Sequence, residues 1–238
     1  MTLSDRLTAI VNMVPPCRQA ADVGTDHGFV PITLVEQGIA GRAIAMDVRP
    51  GPLARAESHI REHGLTQQIE TRLSDGLAAL KPGEADVVII AGMGGGLILR
   101  ILEEGRRLWD SMDAFILSPQ SDIDQVRRYL RENGLTIAKE NMLREDGKYY
   151  VVMKAAHGAA SEESYIYDKY GRRLIEEAHP VLAEYLNREE QKIKDILKQL
   201  SHTPTSKSEA RAEALCRELA LIGQARAMMA ASRESLEG

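Results

Sequence analysis

Residues Ala21-Asp-Val-Gly-Thr-Asp-His-Gly28 decide the fold predicted for this chain of 238 residues. A short apolar run ends near Asp22, a turn with Gly24 follows, and a helical pattern begins near Gly28. This order is typical of the first strand–turn–helix unit of a doubly wound sheet, where a ligand can approach the backbone. The dinucleotide fingerprint has glycine at the position of Asp26, and an aspartate there would repel a pyrophosphate. The glycine spacing alone is a weak signal, because tight helix–strand packing also explains it.

Outward from this turn, short apolar runs rich in β-branched residues alternate with helical patterns. Strands are predicted at Ala20–Gly24, Arg42–Asp47, Ile69–Leu73, Asp86–Ala91, Ala114–Ser118, Thr136–Leu143 and Tyr149–Lys154. Helices are predicted at Phe29–Gln37, Pro52–His63, Leu97–Glu104 and Ser121–Asn133. The alternation predicts an α/β fold with a parallel sheet covered on both faces. The last two strands are too close for a crossover helix, so they should pair antiparallel at one edge, with Asp146-Gly147 as the turn.

The chain changes character near residue 158, where the strand pattern ends. Apolar residues then recur every seven positions at Leu186, Ile193 and Leu200, and again at Leu215, Ile222 and Met229. Heptad spacing of this kind predicts two long helices that pack on each other. We therefore predict a sheet domain over 1–157 and a helical hairpin of coiled-coil character over 158–238. A structural buttress and a dimer contact are both open roles for this hairpin, and the oligomeric state is undecided.

Composition narrows the class of protein. A hydrophobic fraction of 44% with 27% charged residues is ordinary for a globular chain. No apolar run reaches the roughly 18 residues of a membrane span, and the first residues lack a signal-peptide pattern, so we expect a cytoplasmic protein. Cys17 and Cys216 make neither a disulfide framework nor a zinc pattern, and no metal site is expected. The net charge of −5 argues mildly against a nucleic-acid binder, although a local basic stripe remains compatible with it.

Acidic residues follow the first three predicted strands. Asp22 ends the first, Asp47 ends the second, and Asp75 follows the third within Ser74-Asp-Gly76. Asp47 is suited to accept from both hydroxyls of a ribose, and Asp75 from an adenine amine. Each acid alone could be a cap or a turn residue, but the combination is a strong signal. S-adenosylmethionine carries a sulfonium and an ammonium and no phosphate, so we predict it as the cofactor. The predicted cofactor-binding residues are Asp22, Gly24, Thr25, Asp26, Gly28, Asp47, Val48, Ser74, Asp75, Gly76, Gly92, Met93 and Gly94.

A glycine-rich loop, Gly92-Met-Gly-Gly-Gly96, follows the fourth predicted strand. In a doubly wound sheet this loop lies beside the first turn, where it would let a flat substrate lie close to the backbone. Met93 is interpreted either as a soft wall of that pocket or as core. The Asn/Asp-Pro-Pro-aromatic segment of many nucleic-acid amino methyltransferases is missing here.

Three segments carry a resemblance to a known family: Asp22-Val-Gly-Thr-Asp-His-Gly28, Ile90-Ala-Gly-Met-Gly-Gly95 and Asp146-Gly-Lys-Tyr-Tyr150. They resemble the bacterial tRNA (adenine-22-N1)-methyltransferase family, and the resemblance covers essentially the whole chain. It implies a class I, Rossmann-like methyltransferase domain followed by a small helical domain. It also implies methylation of N1 of adenosine 22 in the D-loop region of tRNA, with S-adenosylhomocysteine as the product. The family often has Leu-Gln-Pro-Asn after the fifth strand, whereas this chain has Leu117-Ser-Pro-Gln120.

The chemistry implied by this resemblance is an in-line attack of adenine N1 on the sulfonium methyl. The protein should hold N1 about 3 Å from that carbon, and no strong base is needed because N1 has an available lone pair. Asp26 is the candidate to stabilise the cationic product or help remove a proton from the amine, and His27 is the second catalytic candidate. The base must be unpaired or flipped out, because N1 lies on its pairing edge.

Contacts with tRNA are expected from loops and from local positive charge. The predicted set is Gly95, Pro119, Gln120, Arg127, Arg128, Arg131, Lys148 and Tyr149. Charge reversal at Arg127 and Arg128 is expected to weaken tRNA binding, with a clear salt dependence. The alternatives are a small-molecule methyltransferase with a structural helical extension, a binding module without catalysis and a nicotinamide oxidoreductase. Turnover on a free nucleoside would favour the first, whereas the intact cofactor acids and Asp26 argue against the other two.

Overall fold

A computed structural model of the chain describes residues 3–158, 164–202 and 205–237. The chain divides into two compact units, Met1–Glu162 and Glu163–Gly238. The strands of the first unit are β1 (Cys17–Val23), β2 (Ala40–Asp47), β3 (Ile69–Leu73), β4 (Val87–Met93), β5 (Ala114–Pro119), β6 (Leu135–Glu145) and β7 (Lys148–His157). Its helices are α1 (Asp5–Met13), α2 (Phe29–Glu36), α3 (Pro50–Glu62), α4 (Gly95–Glu104) and α5 (Ile123–Glu132), with a 3₁₀ helix over Arg106–Ser111. The predicted strands and helices are confirmed, with ends shifted by a few residues.

The strands of the described residues form one sheet in the order β3-β2-β1-β4-β5-β7-β6. Strands β1 to β5 run parallel, and β7 pairs antiparallel with both β5 and β6. The β6–β7 turn is tight because Asp146 and Gly147 both adopt positive φ, at 49° and 75°, as hairpin turns of this type require. The antiparallel pair at one edge is therefore confirmed. The carboxyl ends of β1, β2, β4 and β5 meet at one edge of the sheet.

Helices cover both faces of the sheet, which explains its long apolar strands. Ile89 and Ile116 are fully buried in one core cluster, together with Ile10 of α1. A second cluster holds Ile32 and Ile60. Each fully buried aliphatic side chain stabilises the fold by about 1.5–3 kcal/mol. The core thus fixes the strand ends rigidly enough to position a site.

Helix α1 was not predicted from the sequence. Ser4 caps it, since its Oγ accepts from the Leu7 backbone N–H at 3.4 Å. Its inner face, with Ile10 and Val11, packs in the first core cluster. Nine residues give too few turns for a clear periodic pattern. This short helix matters because it brings Arg6 to the carboxyl edge of the sheet.

The second unit contains α6 (Tyr165–Tyr170), α7 (Arg172–Glu176), α8 (Pro180–Leu200) and α9 (Ser206–Glu237). The heptad residues Leu186 and Ile193 of α8 are buried, as are their counterparts Leu215, Ile222 and Met229 of α9. The two long helices pack on each other, as the sequence predicts. Residues 159–163 and 203–204, which include parts of the predicted boundary and of the connection between the long helices, lie outside the described residues. Within residues 3–158, 164–202 and 205–237, no helix is both long and apolar enough to cross a bilayer.

Candidate active site

Two cavities of about 350 Å³ each open at the carboxyl edge of the sheet. The β2–β3 cavity is lined by Val23, Gly24, Asp47, Val48, Arg49, Ser74, Asp75, Gly76, Ala91, Gly92, Met93, Leu97, Arg100 and Ile101. The β1–α1 cavity is lined by Arg6, Leu7, Asp22, Gly24, Thr25, Asp26, His27, Gly28, Phe29, Val30, Ala91, Gly92 and Gln120. Gly24, Ala91 and Gly92 line both cavities, so the two spaces meet at the ends of β1 and β4.

Asp47 is the buried acid of the β2–β3 cavity. Its Oδ1 accepts from the Arg49 backbone N–H at 2.8 Å, and the Arg49 side chain approaches to 3.8 Å. The side chain is 7% exposed. Within the described part of the chain, Oδ2 accepts no hydrogen bond. One carboxylate oxygen is thus anchored by the backbone and the other is left for a ligand.

The turn after β3 places Asp75 at the mouth of the same cavity. Asp75 is exposed, and Arg100 Nη2 donates to its Oδ1 at 3.0 Å. Ser74 is buried, and its hydroxyl donates to the Gly76 carbonyl at 2.9 Å and accepts from the Ala79 N–H at 3.1 Å. Ser74 therefore shapes the turn, while Asp75 and Arg100 offer polar atoms to a ligand. No sequence pattern indicated Arg100, because its partner Asp75 lies 25 residues earlier.

Two large apolar side chains in the β2–β3 cavity are unusually open to solvent. Val48 is 58% exposed and Leu97 is 41% exposed. Exposed apolar walls beside a pair of acids suit a flat ligand with a polar rim, because most of its ring surface would be removed from water. Met93 packs on Gly24, which lines the same cavity. A Cβ on Gly24 would come within 2.9 Å of Met93 Cε. Met93 thus lines the cavity, which favours its interpretation as a pocket wall over its interpretation as core.

Asp22 is the buried acid of the β1–α1 cavity and is 8% exposed. Burial raises the pKa of its carboxyl to about 6, and the neighbouring charge of Asp47 acts in the same direction. The Thr25 hydroxyl lies close enough to oppose the shift, but the contact does not reach hydrogen-bond geometry. A buried, unpaired carboxyl of this kind is stabilised by a cation.

The turn after β1 is held open by its hydrogen bonds. The backbone N–H groups of Gly24 and Thr25 both donate to the Met46 carbonyl, at 2.8 and 2.9 Å. Gly24 and Gly28 have φ of 81° and 71°, which favours glycine. A Cβ on Gly28 would come within 3.2 Å of Ala56, so this glycine also lets α2 approach α3.

Two polar atoms of this turn are buried without hydrogen-bond partners in the described residues: Thr25 Oγ1 and His27 Nδ1. A buried polar group left unpaired costs about 1–3 kcal/mol, so such groups are uncommon without a ligand. Both residues line the β1–α1 cavity. With the acid Asp22 beside them, they fit a ligand that carries both a positive charge and hydrogen-bonding atoms. The amino-acid end of S-adenosylmethionine is such a ligand.

Asp26 is exposed and forms an ion pair with Arg55, and His27 Nε2 lies 3.4 Å from its Oδ2. The hydrogen bond from Arg55 holds the pKa of Asp26 below its usual range. A carboxylate in this state is a poor proton acceptor but a permanent negative charge. The geometry thus favours the electrostatic role predicted for Asp26 over proton removal.

His27 is fixed by stacking. Its ring centroid lies 5.1 Å from that of Phe29 and 5.5 Å from that of His59. His59 Nδ1 donates to the His27 carbonyl at 2.9 Å. This stack orients His27 in the cavity wall, and the sequence pattern did not indicate His59.

The loop after β5 closes the β1–α1 cavity through Gln120. Its backbone N–H donates to the Met93 carbonyl at 3.0 Å, and its side chain is exposed. Gly94 and Gly95 line neither cavity. A Cβ on Gly95 would come within 2.5 Å of the Ser121 carbonyl oxygen, and one on Gly94 within 3.1 Å of Ser121 Oγ. These two glycines therefore leave room for the loop that carries Gln120. Pro119 is buried at the end of β5 and lines neither cavity.

The basic residues predicted to contact tRNA line neither cavity, and one of them is buried. Arg127 Nε donates to Glu140 Oε1 at 2.8 Å, and the two side chains are 4% and 0% exposed. The prediction for Arg127 as an RNA contact is therefore wrong, since its charge is used inside the fold. Arg128 and Arg131 are half-buried on the same helix. Lys148 is exposed at the β6–β7 hairpin, and Tyr149 beside it is half-buried.

Arg127→Ala is expected to lower the free energy of unfolding by about 3–5 kcal/mol, because it removes one partner of an ion pair whose two side chains are both buried. Gln125→Ala, at an exposed position of the same helix, is the control and should change stability by less than about 0.5 kcal/mol. Urea unfolding followed by circular dichroism measures both. Equal stability of the two variants would contradict a buried ion pair.

Comparison with known proteins agrees with this geometry. The model of the family described as a methyltransferase domain matches residues 3–153. The chain is 37% identical over 158 residues to the tRNA (adenine(22)-N(1))-methyltransferase of Bacillus subtilis, a match that spans 66% of each chain. A crystal structure of a putative tRNA (m1A22) methyltransferase from Streptococcus pneumoniae superposes with a TM-score of 0.86 at 33% identity and covers 94% of this chain and 99% of that one.

The S. pneumoniae protein is also known in complex with S-adenosyl-L-methionine. That structure gives a TM-score of 0.83 at 32% identity, over the same shares of the two chains. The matches extend over the sheet unit in sequence and over nearly the whole chain in structure. The chain therefore belongs to the methyltransferase-domain proteins and, among them, to the tRNA (adenine(22)-N(1))-methyltransferase family.

Proposed function

We propose that this protein transfers a methyl group from S-adenosylmethionine to N1 of adenosine 22 in tRNA and leaves S-adenosylhomocysteine. The observation that carries the proposal is the pair of cavities that meet at Gly24, Ala91 and Gly92. One cavity has the acids and apolar walls that suit an adenosine. The other has a buried acid, orphaned polar atoms and an exposed amide. A methyl donor and a methyl acceptor can thus meet where the cavities join.

The β2–β3 cavity is assigned to the adenosine part of the cofactor. Asp47 Oδ2 would accept from the ribose hydroxyls, and Asp75 from the adenine amine. Val48 and Leu97 would cover the faces of the ring. In the β1–α1 cavity, Asp22 would pair with the ammonium group. When bound, S-adenosylmethionine supplies an electrophilic methyl group on a sulfonium.

The carboxylate of the cofactor also has donors in this chain. The backbone N–H groups of Asp26 and His27, in the turn just before Gly28, the N-cap of α2, donate to no described residue. Free N–H groups in a turn that leads into a helix can bind an anion, and the nearby helix N-terminus also favours negative charge. The Thr25 hydroxyl, buried and unpaired beside them, can donate as well. These groups hold the amino-acid end of the cofactor without the help of any arginine.

The residues that remain in the β1–α1 cavity would receive the target adenine. Gln120 offers an amide donor and acceptor at the cavity mouth, and so can bond the pairing edge beside N1. Asp26, kept ionised by Arg55, supplies a negative charge near the adenine that becomes cationic on methylation. The pairing edge is accessible only in an unpaired or flipped base. Positioning and charge are therefore the contributions of the protein.

The affinity of the cofactor is expected to fall as the pH falls through about 6. Only ionised Asp22 attracts the ammonium group, and the raised pKa of Asp22 leaves it largely protonated below that pH. Between pH 7.5 and pH 5, we expect the dissociation constant of S-adenosylhomocysteine to rise about tenfold. In Asp22→Asn the affinity should be low and nearly independent of pH. Isothermal titration calorimetry at several pH values measures this, and an equally steep profile in the variant would contradict the assignment.

Asp22 also makes a prediction for stability. Its folded pKa lies above the unfolded value, so its contribution is fully present below about pH 4 and is lost as the pH rises through 6. Without ligand at pH 7.5, Asp22→Asn is therefore expected to be more stable than the wild type, by up to about 3 kcal/mol. Thermal unfolding of both ligand-free proteins tests the sign.

Methyl transfer to unmodified tRNA transcripts tests the proposed function. With labelled S-adenosylmethionine, we expect label in a tRNA with adenosine at position 22 and none in the same tRNA with guanosine there. Free adenosine should not be labelled at a comparable rate. Labelling of both transcripts would contradict the target position, and efficient labelling of free adenosine would favour a small-molecule methyltransferase.

A further inference from the structure

Arg6 is a lining residue of the β1–α1 cavity that the proposed mechanism does not use. It lies on α1, the helix that the sequence did not predict. Its guanidinium extends across the junction of the two cavities, since a Cβ on Gly92 would come within 3.4 Å of Arg6 Nη1. Arg6 therefore lies beside the place where the methyl donor and the acceptor would meet.

The position of Arg6 is fixed by two contacts with the β6–β7 hairpin. Its backbone N–H donates to Glu145 Oε1 at 3.1 Å. Its guanidinium lies over the ring of Tyr150, with Cζ 5.4 Å from the centroid. A guanidinium stacked on an aromatic face loses little of its hydrogen-bonding capacity, because its N–H groups point outward in the plane of the guanidinium. The stack thus presents donors to the cavity.

Among residues 3–158, 164–202 and 205–237, Arg6 forms no ion pair through its guanidinium. This is unusual here, because Arg49, Arg55 and Arg100 near the same cavities are each paired with an acid. An unpaired cation beside a sulfonium and a developing cationic adenine is unfavourable unless an anion accompanies the substrate. The arrangement therefore points to an anionic partner that arrives from outside.

Two anions could reach Arg6: the carboxylate of the cofactor and a phosphate of the RNA. Donors for the carboxylate are available in the Thr25 hydroxyl and in the N–H groups of Asp26 and His27. Arg6 instead stacks on Tyr150 of the hairpin that also carries exposed Lys148, and two neighbouring cations at a surface favour a phosphate backbone. A target base is always attached to a phosphate, and arginine binds phosphate with two parallel hydrogen bonds.

We propose that Arg6 is a substrate-positioning residue whose guanidinium, held on Tyr150, binds a backbone phosphate at the target nucleotide. This inference rests on the proposed function, because it takes RNA as the substrate. Arg6 acts by fixing the entry path of the flipped nucleotide into the β1–α1 cavity. It takes no part in proton transfer.

The test compares Arg6→Gln, Arg6→Lys and the wild type. For Arg6→Gln we expect the Kd and KM for tRNA to rise about tenfold, with the Kd for S-adenosylhomocysteine within twofold. The slope of log Kd for tRNA against log salt should decrease in magnitude by about one. Arg6→Lys, which keeps the charge, should retain that slope and recover most of the affinity. Arg42→Gln is the matched control, since Arg42 is an exposed arginine at the amino end of β2, on the opposite edge of the sheet.

Several results would overturn the proposal. Unchanged tRNA affinity in Arg6→Gln, or an unchanged salt slope, would give Arg6 a structural role only. A large loss of S-adenosylhomocysteine affinity would instead assign Arg6 to the cofactor carboxylate. Failure of the proposed function is distinguishable, because the wild type would then leave tRNA unmethylated whereas the direct binding measurements still report on Arg6. Thermal unfolding of each variant separates these effects from loss of the fold.

Discussion

Asp47→Ala is expected to weaken the binding of S-adenosylhomocysteine by about 100-fold or more. The buried carboxylate has one oxygen anchored by the Arg49 N–H and the other available to the ribose. Two hydroxyl donors to a charged acceptor are worth about 1.5–3 kcal/mol each, so their joint loss exceeds the 2.7 kcal/mol that corresponds to about 100-fold. The cavity walls Val48 and Leu97 are unchanged in the variant, so the remaining affinity reports the apolar contacts.

Calorimetric titration of the purified variant measures this effect. Asp47→Asn should be intermediate, since it can keep the bond to Arg49 but loses the charge. Asp113→Ala is the matched control, because Asp113 is an exposed acid at the amino end of β5, on the opposite edge of the sheet. An affinity of Asp47→Ala within threefold of the wild type would show that the ribose does not bind there.

Gly95→Ala is expected to reduce kcat/KM for tRNA by about 100-fold while cofactor binding stays close to that of the wild type. A Cβ at this position would come within 2.5 Å of the Ser121 carbonyl oxygen and 3.0 Å of Asp122. The Ser121 segment must therefore move, and Gln120 moves with it. A displacement of about 1 Å at a substrate-positioning group is sufficient for a loss of this size. The β2–β3 cavity does not include this loop, which is why cofactor affinity should survive.

Gly96→Ala provides a close control for this experiment. A Cβ on Gly96 meets nothing within 4 Å, and alanine is the better helix former by about 1 kcal/mol. This neighbouring variant should keep full activity and be no less stable than the wild type. If both variants are equally active, the packing of the Gln120 loop on Gly95 does not position the substrate.

The strands and helices were predictable because their alternation is a local pattern. Each of these patterns involves residues that are close together in the sequence. Examples are the Gly24 turn, the short link between β6 and β7, and the heptad spacing within α8 and within α9. Asp22, Asp47 and Asp75 could be assigned to one edge for the same reason, since parallel strands end together. The two cavities contain these acids, together with all the other predicted cofactor residues except Gly94.

The remaining features depend on partners distant in the sequence. Arg127 was expected on the surface because its partner Glu140 belongs to another element. Arg100 pairs with Asp75 across 25 residues, and Arg6 reaches the site only because α1 packs against the β6–β7 hairpin. Gly94 and Gly95 likewise make room for Ser121, which lies 26 residues or more away in the sequence. No periodic pattern encodes such contacts.

The proposed methyl transfer is tested most directly by identifying the methylated atom of the tRNA. A transcript with adenosine at position 22 is incubated with S-adenosylmethionine and the purified protein, digested to nucleosides and analysed by mass spectrometry with chromatographic standards. We expect 1-methyladenosine, with one methyl group per tRNA and a reverse-transcription stop at position 22. N6-methyladenosine, or 1-methyladenosine at another position, would contradict it.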